Sequence, residues 1–311
     1  MREPQPLCFH ANDYVPLAEA HVGVGSLALR YALSVFEGIR LYRREDGEGL
    51  VALAWAAHVE RLRRSCRLMG LPEPGLSRLP EIVAELVARN RIQDDAYVRP
   101  SVTAVNVGDL GTQPETALTV TVSPMGRKPW LAREKAMRLM VSGWQRPHDL
   151  SFPTAAKCVG NYAGPFVAAA RARAAGFDGV LLLSPDGLIA EAPTATLFIV
   201  RDGRLTTPRL TDSVLPSITR ALVFDIAREL GIDCAEGPVS RTDLYNADEA
   251  FLCGTGLEFG PIASVDGFEL LEAEERPVTR RLVARYFERA RRAADGWVVP
   301  MPSSGEAGRE R

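Results

Sequence analysis

Lysine is nearly missing from this chain: of 37 basic residues only three, at positions 128, 135 and 157, are lysine. The other cations are arginine, whose guanidinium stays charged in proteins and does not serve as an imine-forming nucleophile. Histidine is equally scarce, with four residues at 10, 21, 58 and 148. They are scattered, without metal-ligand spacing, and no Gly-x-Ser-x-Gly elbow accompanies them. Each is expected to be structural or at the surface, His58 near the start of a helix. The five cysteines (8, 66, 158, 234 and 253) are odd in number and form no CxxC pair, which argues against a disulfide framework or a thiolate metal site. No Gly-x-Gly-x-x-Gly phosphate loop occurs. A formal charge of −2 provides no positive field to gather nucleic acid or an anionic membrane surface. No uninterrupted apolar run is long enough to span a bilayer, and the amino terminus has no apolar signal core. The expectation is a soluble cytoplasmic protein without a metal, with neither nucleic acid nor membrane as a partner.

What is present suits a two-domain enzyme-sized fold: 311 residues, 46% hydrophobic and 24% charged, enough to bury a large core. Leu50 to Trp55, Ala96 to Val105 and Thr116 to Ser123 are rich in strand formers, the last alternating at the two-residue period. Pro100 would place part of the second at an edge or bulge. Helical spacing is expected near 56–69 and 78–90, and again at 161–175, 217–231 and 277–294, with Gly231 capping the fourth of these. Leu139 to Ser142, Val180 to Ser184 and Leu197 to Arg201 read as strands, with Pro185-Asp186-Gly187, Asp202-Gly203 and Asp266-Gly267 as turns. The elements interleave without a regular βαβ cadence, so the fold class is α+β, or mixed α/β. The expected organisation is a smaller α/β domain over 1–124, an inter-domain loop over 125–135, a larger domain over 136–299 and a disordered tail over 300–311.

Of the three lysines, Lys157 alone stands in apolar company, after Phe152-Pro153-Thr154-Ala155-Ala156 and before Cys158-Val159-Gly160-Asn161-Tyr162. A desolvated amine there loses its proton and attacks carbonyl compounds. The alternative is a lysine stem lying on apolar surface with its head in water. An imine-forming lysine is useful beside a carboxylate for a pyridine nitrogen, a phosphate cradle and a phenol. Glu191, ending the short apolar run Leu188-Ile189-Ala190, is a candidate for the first and equally an edge-strand surface acid. Leu215-Pro216-Ser217-Ile218-Thr219-Arg220 begins a helix whose free N–H groups favour an anion, or merely uses Ser217 as an N-cap. Cys253-Gly254-Thr255-Gly256 permits close backbone approach to a ligand, or is a structural turn.

Together these segments resemble the fold-type IV pyridoxal-phosphate enzymes, and within them the branched-chain amino acid aminotransferases. Tyr31-Ala32-Leu33-Ser34-Val35-Phe36-Glu37-Gly38-Ile39-Arg40, His58-Val59-Glu60-Arg61-Leu62 and Ala96-Tyr97-Val98-Arg99-Pro100 carry the same likeness, which spans about residues 7–298 in order. The resemblance implies the two-domain fold-type IV architecture, with 136–299 as the cofactor-binding domain and pyridoxal 5'-phosphate as cofactor. It implies transamination between a branched-chain or related hydrophobic amino acid and 2-oxoglutarate, giving the 2-oxo acid and glutamate. Lys157 would bond the cofactor and relay protons, Glu191 would pair with the pyridine nitrogen and Tyr162 with the ring hydroxyl. Arg61, Ile218, Thr219 and Thr255 would hold the phosphate, and Leu215 would pack on the ring. Tyr97 and the Thr255-Gly256 backbone would receive the substrate carboxylate. Tyr31, Phe36, Gly38 and Arg99 would shape the side-chain pocket, Arg99 taking the distal carboxylate of glutamate, with Arg40 as support. A homodimer or higher homo-oligomer is implied as well.

The chain departs from the family pattern at Ala192-Pro193-Thr194-Ala195-Thr196, where a glycine-rich run is usual and where Thr194 is expected to face the cofactor. Ala32-Leu33 and Gly256-Leu257 also differ from the usual residues, which bears on side-chain preference. The rival readings are a specialised-metabolism, D-amino-acid or amine transaminase, or aminodeoxychorismate lyase, of the same fold, and a non-catalytic cofactor or anion carrier.

Overall fold

The computed structural model describes residues 6–132, 135–292, 294 and 296–300. These fall into two compact units, the first within Met1–Gly126, Cys158–Gly160 and Arg289–Arg311, the second within Arg127–Lys157 and Asn161–Glu288.

The first unit is built on an antiparallel sheet. Its strands are β1 (Leu7–His10), β2 (Asp13–Pro16), β3 (Ser34–Phe36), β4 (Ile39–Arg43), β5 (Leu50–Leu53), β6 (Ala96–Ala104) and β7 (Thr116–Pro124), in the order β5-β4-β6-β7-β1-β2 with β3 also against β6. The alternation in β7 has its expected result, since Leu118, Val120 and Val122 are buried while Thr119 and Thr121 are less so. Helices α1 (Leu27–Tyr31), α2 (Trp55–Leu68) and α3 (Leu79–Arg89) complete the unit. In α3 the Ile82, Val83, Leu86 and Val87 face is buried, as its spacing requires.

Pro100 stands neither at an edge nor in a bulge, because β6 pairs with β7 on one side and with β3 and β4 on the other. The registers of β3 and β4 against β6 are continuous, Phe36 facing Ser101 and Ile39 facing Val98, so Glu37 falls opposite Pro100. The Glu37 N–H donates to the Pro100 carbonyl at 2.9 Å, but proline has no N–H to return. A central strand tolerates the proline by interrupting its neighbour at Glu37-Gly38.

The second unit carries β8 (Met137–Gln145), β9 (Gly179–Leu183), β10 (Glu191–Ala192), β11 (Ala195–Arg201), β12 (Arg204–Thr207), β13 (Cys234–Glu236), β14 (Glu249–Gly254), β15 (Glu258–Val265) and β16 (Phe268–Glu269). Their order is β13-β12-β11-β14-β15-β8-β9, with β10 on β11 and β16 on β15. The sheet is mixed: β8 lies parallel to β9 and to β15, and β12 parallel to β13. Helices α4 (Pro129–Ala132), α5 (Ala163–Ala174), α6 (Ile218–Glu229), α7 (Arg241–Tyr245) and α8 (Pro277–Ala290) belong to this unit or its borders. One sheet face holds an apolar core from Leu139, Leu181, Ile189, Leu197, Leu252 and Ile262. Asp202-Gly203 and Asp266-Gly267 both have left-handed backbones, as tight hairpin turns of that composition demand. Gly231, at φ +66°, follows the end of α6 and donates to Arg228 O while Ile232 donates to Ala227 O, a Schellman closure.

The mixed α/β architecture with two sheets agrees with the fold class read from the sequence. The final strand, β17 (Gly296–Val299), corrects the expected span of the larger domain: it pairs with β5 of the first sheet. Four residues after a charged helix carry no periodicity that assigns them to either sheet. The tail expected over 300–311 lies outside the described residues from 301 onward. Among the described residues no helix is long and apolar enough to cross a membrane.

Candidate active site

In the second unit, local structure converges on Lys157. Asp149 accepts from the Thr154 N–H and hydroxyl at 3.2 Å, fixing the turn that precedes the lysine. Asn161, buried, donates its side-chain amide to Ala156 O at 3.2 Å and to Pro153 O at 3.4 Å. These bonds set the backbone on which Lys157 and Tyr162 stand, and the Lys157 amine donates to Tyr162 Oη at 2.9 Å. Both side chains are half-buried. The amine is therefore held in a fixed direction rather than trailing into solvent, as the surface alternative would have it.

Glu191 opens β10 and is only 6% exposed. Its Oε1 lies 3.0 Å from Arg146 Nε, an ion pair between two buried side chains, and its Oε2 accepts from the Leu215 N–H at 3.2 Å. Arg146 also donates Nε–H to Ser213 O and Nη1–H to Asn161 O, each at 3.2 Å. The residues that surround Lys157, Glu191 and Leu215 are thus joined through one guanidinium. Arg146 carries no mark of this in the sequence, because Gln145-Arg146-Pro147 reads as a polar strand end.

Leu215 leads directly into α6. Ser217 caps that helix, its hydroxyl accepting from Arg220 N at 3.2 Å, which leaves the first-turn N–H groups of buried Ile218 and Thr219 directed out of the helix end. Such an end attracts an anion through its N–H groups and its dipole. The Thr255-Gly256-Leu257 loop joins β14 to β15, where Gly254 faces Glu258. A Cβ on Gly254 would stand 2.9 Å from the Thr194 carbonyl, so only glycine lets these two backbones approach. Thr194 itself is exposed, in the two-residue turn Pro193-Thr194 between β10 and β11. Neither turn residue adopts a left-handed backbone; proline at the first turn position presets a negative φ and replaces the usual glycines. The donor set on this unit, an amine beside a phenol, a buried carboxylate and a helix end open to an anion, fits a phosphorylated pyridine aldehyde.

The first unit contains the remaining candidates. Glu37 is fully buried and accepts Arg61 Nε–H at 2.5 Å on Oε1 and Nη2–H at 2.8 Å on Oε2, with His58 Nδ1 also 2.8 Å from Oε2. Burial alone would push this carboxyl up; the Arg61 charge and hydrogen bonds from His58 and Arg61 more than offset it and bring the pKa down to about 2. His58 is a buried member of an ion-pair cluster, not merely an opening residue of α2. His58 and Arg61 stand three apart, on one helix face, a spacing that marks them as neighbours once Glu37 is known to oppose them. Tyr31 ends α1, half-buried. Arg99 is exposed on β6, its guanidinium 3.9 Å from the centre of the buried Phe36 ring. Arg40 is buried, donating to Met125 O at 2.5 Å and Gly126 O at 3.3 Å.

Gly38 is set by Tyr97: a Cβ at position 38 would stand 1.8 Å from Tyr97 Oη. The Gly38→Ala variant must swing that ring away. It is expected to lose about 10²-fold in kcat/KM, as about 1 Å of misplacement does, with a stability loss of about 1–3 kcal/mol from overpacking. Steady-state kinetics and a thermal melt measure both; unchanged kinetics would mean that the position of the Tyr97 ring does not bear on turnover.

Residues 34–265 match the family model described as amino-transferase class IV. The chain belongs to the class IV aminotransferases. The branched-chain-amino-acid aminotransferase of Salmonella typhimurium is 36% identical to it over 302 residues, 94% of this chain and 96% of the relative. Two solved branched-chain aminotransferases share the class IV fold with it. That of Thermoproteus uzoniensis with norvaline has 34% identity, covers 92% of this chain and 94% of its own, and gives a TM-score of 0.86. That of Thermobaculum terrenum in its PLP form has 31% identity, covers 94% of this chain and 96% of its own, and gives a TM-score of 0.85. In this aminotransferase Lys157, Glu191 and Tyr162 lie in one unit, with the geometry given above.

Proposed function

We propose that this aminotransferase uses pyridoxal 5'-phosphate to exchange an amino group between a branched-chain or related hydrophobic amino acid and 2-oxoglutarate. The observation that carries the reading is the Lys157 amine held 2.9 Å from Tyr162 Oη in the unit that holds the buried Glu191 carboxylate. Bound there, the cofactor supplies an electron sink for the bonding electrons of the substrate α-carbon. Lys157 Nζ accepts the proton from that carbon and returns one to the neighbouring position, a general base and acid in turn. Tyr162 Oη orients the amine and donates toward the ring hydroxyl. Glu191 accepts from the pyridine N–H and balances its charge. Ile218 N–H, Thr219 and Thr255 receive the phosphate, while Leu215 and the Gly256 backbone border ring and substrate.

The assignments of Arg61 to phosphate, and of Tyr31, Phe36, Gly38, Tyr97 and Arg99 to substrate, belong to the same proposal. Arg99 suits a substrate with a distal carboxylate because its guanidinium offers a fork to that group. The buried Phe36 beneath it offers an apolar wall. A cytoplasmic homodimer or larger homo-oligomer is part of the reading. It is supported by Val24, Leu29, Val107 and Leu110, which point apolar side chains into solvent on the first unit.

A panel of amino donors, each with 2-oxoglutarate and read by the absorbance of the bound cofactor, tests the substrate. Leucine, isoleucine and valine are expected to convert the spectrum within the panel. Silence with all three would overturn the substrate while leaving the family intact.

A further inference from the structure

Arg146 is a buried cation with no place in the roles assigned so far. It follows β8, its side chain is 4% exposed, and a guanidinium keeps its charge at every physiological pH. Its three recorded partners come from three separate segments. Asn161 O precedes Tyr162; Ser213 O stands two residues before Leu215; Glu191 Oε1 belongs to the proposed ring-nitrogen carboxylate. The second oxygen of Glu191 is held by Leu215 N–H. Both Glu191 oxygens are therefore held in direction by protein groups, Oε1 by Arg146 and Oε2 by the Leu215 N–H.

A buried carboxylate without a countercharge takes up a proton rather than remain ionised in a poor solvent. A protonated Glu191 offers no negative charge to a pyridine N–H. We propose that Arg146 is a positioning residue for the cofactor: it keeps Glu191 ionised and aimed, and the ring nitrogen stays protonated only while that pair is intact. The inference rests on the cofactor reading above. Its consequence is that removing Arg146 and neutralising Glu191 are one lesion. Residues that act through a single shared interaction are non-additive, whereas a residue that only braces the fold adds its cost to any other.

The test uses the full-length protein loaded with pyridoxal 5'-phosphate carrying ¹⁵N in the ring. The ring-nitrogen chemical shift and the dissociation constant of the cofactor from the apoprotein are measured for the unmodified protein, Arg146→Met, Glu191→Gln and the double variant. The unmodified protein is expected to hold a protonated ring nitrogen, and both single variants an unprotonated one. Each single variant weakens binding by about 10–100-fold, the loss of one charged hydrogen bond, and the double variant is no weaker than the worse single. If Arg146→Met does not fold, Arg146→Lys decides. It keeps the charge but not the fork, so the ring nitrogen stays protonated while affinity falls.

A protonated ring in Arg146→Met, an unprotonated one in Arg146→Lys, or losses that multiply in the double variant would overturn the role of Arg146. The cofactor reading survives any of those results. It fails on a different result, no binding of pyridoxal 5'-phosphate by the unmodified protein, and takes this inference with it.

Discussion

Replacing Lys157 by alanine is expected to lower amino-group transfer by about 10⁴-fold or more. On the proposed mechanism the variant removes at once the covalent partner of the carbonyl and the group that carries the α-proton, and positioned acid–base catalysis alone contributes about 10²–10⁴-fold. The fold should survive, because the lysine is half-buried and Tyr162 Oη, to which its amine donates, can turn to water. Non-covalent cofactor binding should persist through α6 and the 255–256 loop, weakened but measurable by fluorescence. Borohydride should fix the cofactor to the unmodified protein and leave the variant unlabelled. Neither of the other lysines, 128 and 135, can take over, and arginine offers no neutral amine. Labelling of the alanine variant at any residue, or transfer at a tenth of the normal rate, would remove Lys157 from its assigned role.

Glu37→Gln is expected to have the largest effect on stability. The carboxylate is fully buried and holds the buried Arg61 guanidinium through both oxygens, with His58 also on Oε2, so its neutralisation takes the Glu37 charge from a desolvated cation, at a cost of about 3–5 kcal/mol. The same pair makes an acid-sensitive element. The folded pKa of about 2 lies below the ordinary 4.5, so the contribution is complete above pH 4.5 and is lost as pH falls toward 2. Its size is on the order of 3 kcal/mol. Urea unfolding of both proteins at a series of pH values between 6 and about 2 should show their difference shrinking through that window. A constant difference would mean that the ionised carboxylate is not what holds the cluster.

Much of the site is legible because its residues announce themselves locally. Lys157 stands out as the one lysine in apolar surroundings, Glu191 as a charge ending an apolar run, and Ser217 as a cap. Their neighbours lack such marks. Arg146 looks like a polar residue at a strand end, and Glu37, between β3 and β4, is separated from His58 and Arg61 on α2 by the strands β4 and β5. Pairings of that kind depend on which surfaces meet, and a linear pattern does not carry it. The same holds for the sheets. Strand identity in β5, β6 and β7 follows from alternation and branched residues, but the parallel contacts of β8 with β9 and β15 link segments about forty and more than a hundred residues apart. The β17 strand is the clearest case, since four residues hold too little periodicity to choose a sheet.

The proline opposite Glu37 has an effect that reaches beyond its own strand. Any other amino acid at position 100 would offer an N–H across the gap, and the two short segments facing it would knit into a single uninterrupted ribbon. Pro100 acts as a missing stitch: it leaves the one stretch that must cradle Arg61 fastened on a single side, with the backbone latitude to present its acid sideways. A cation-binding elbow is thereby written into a sheet by subtraction of one hydrogen atom.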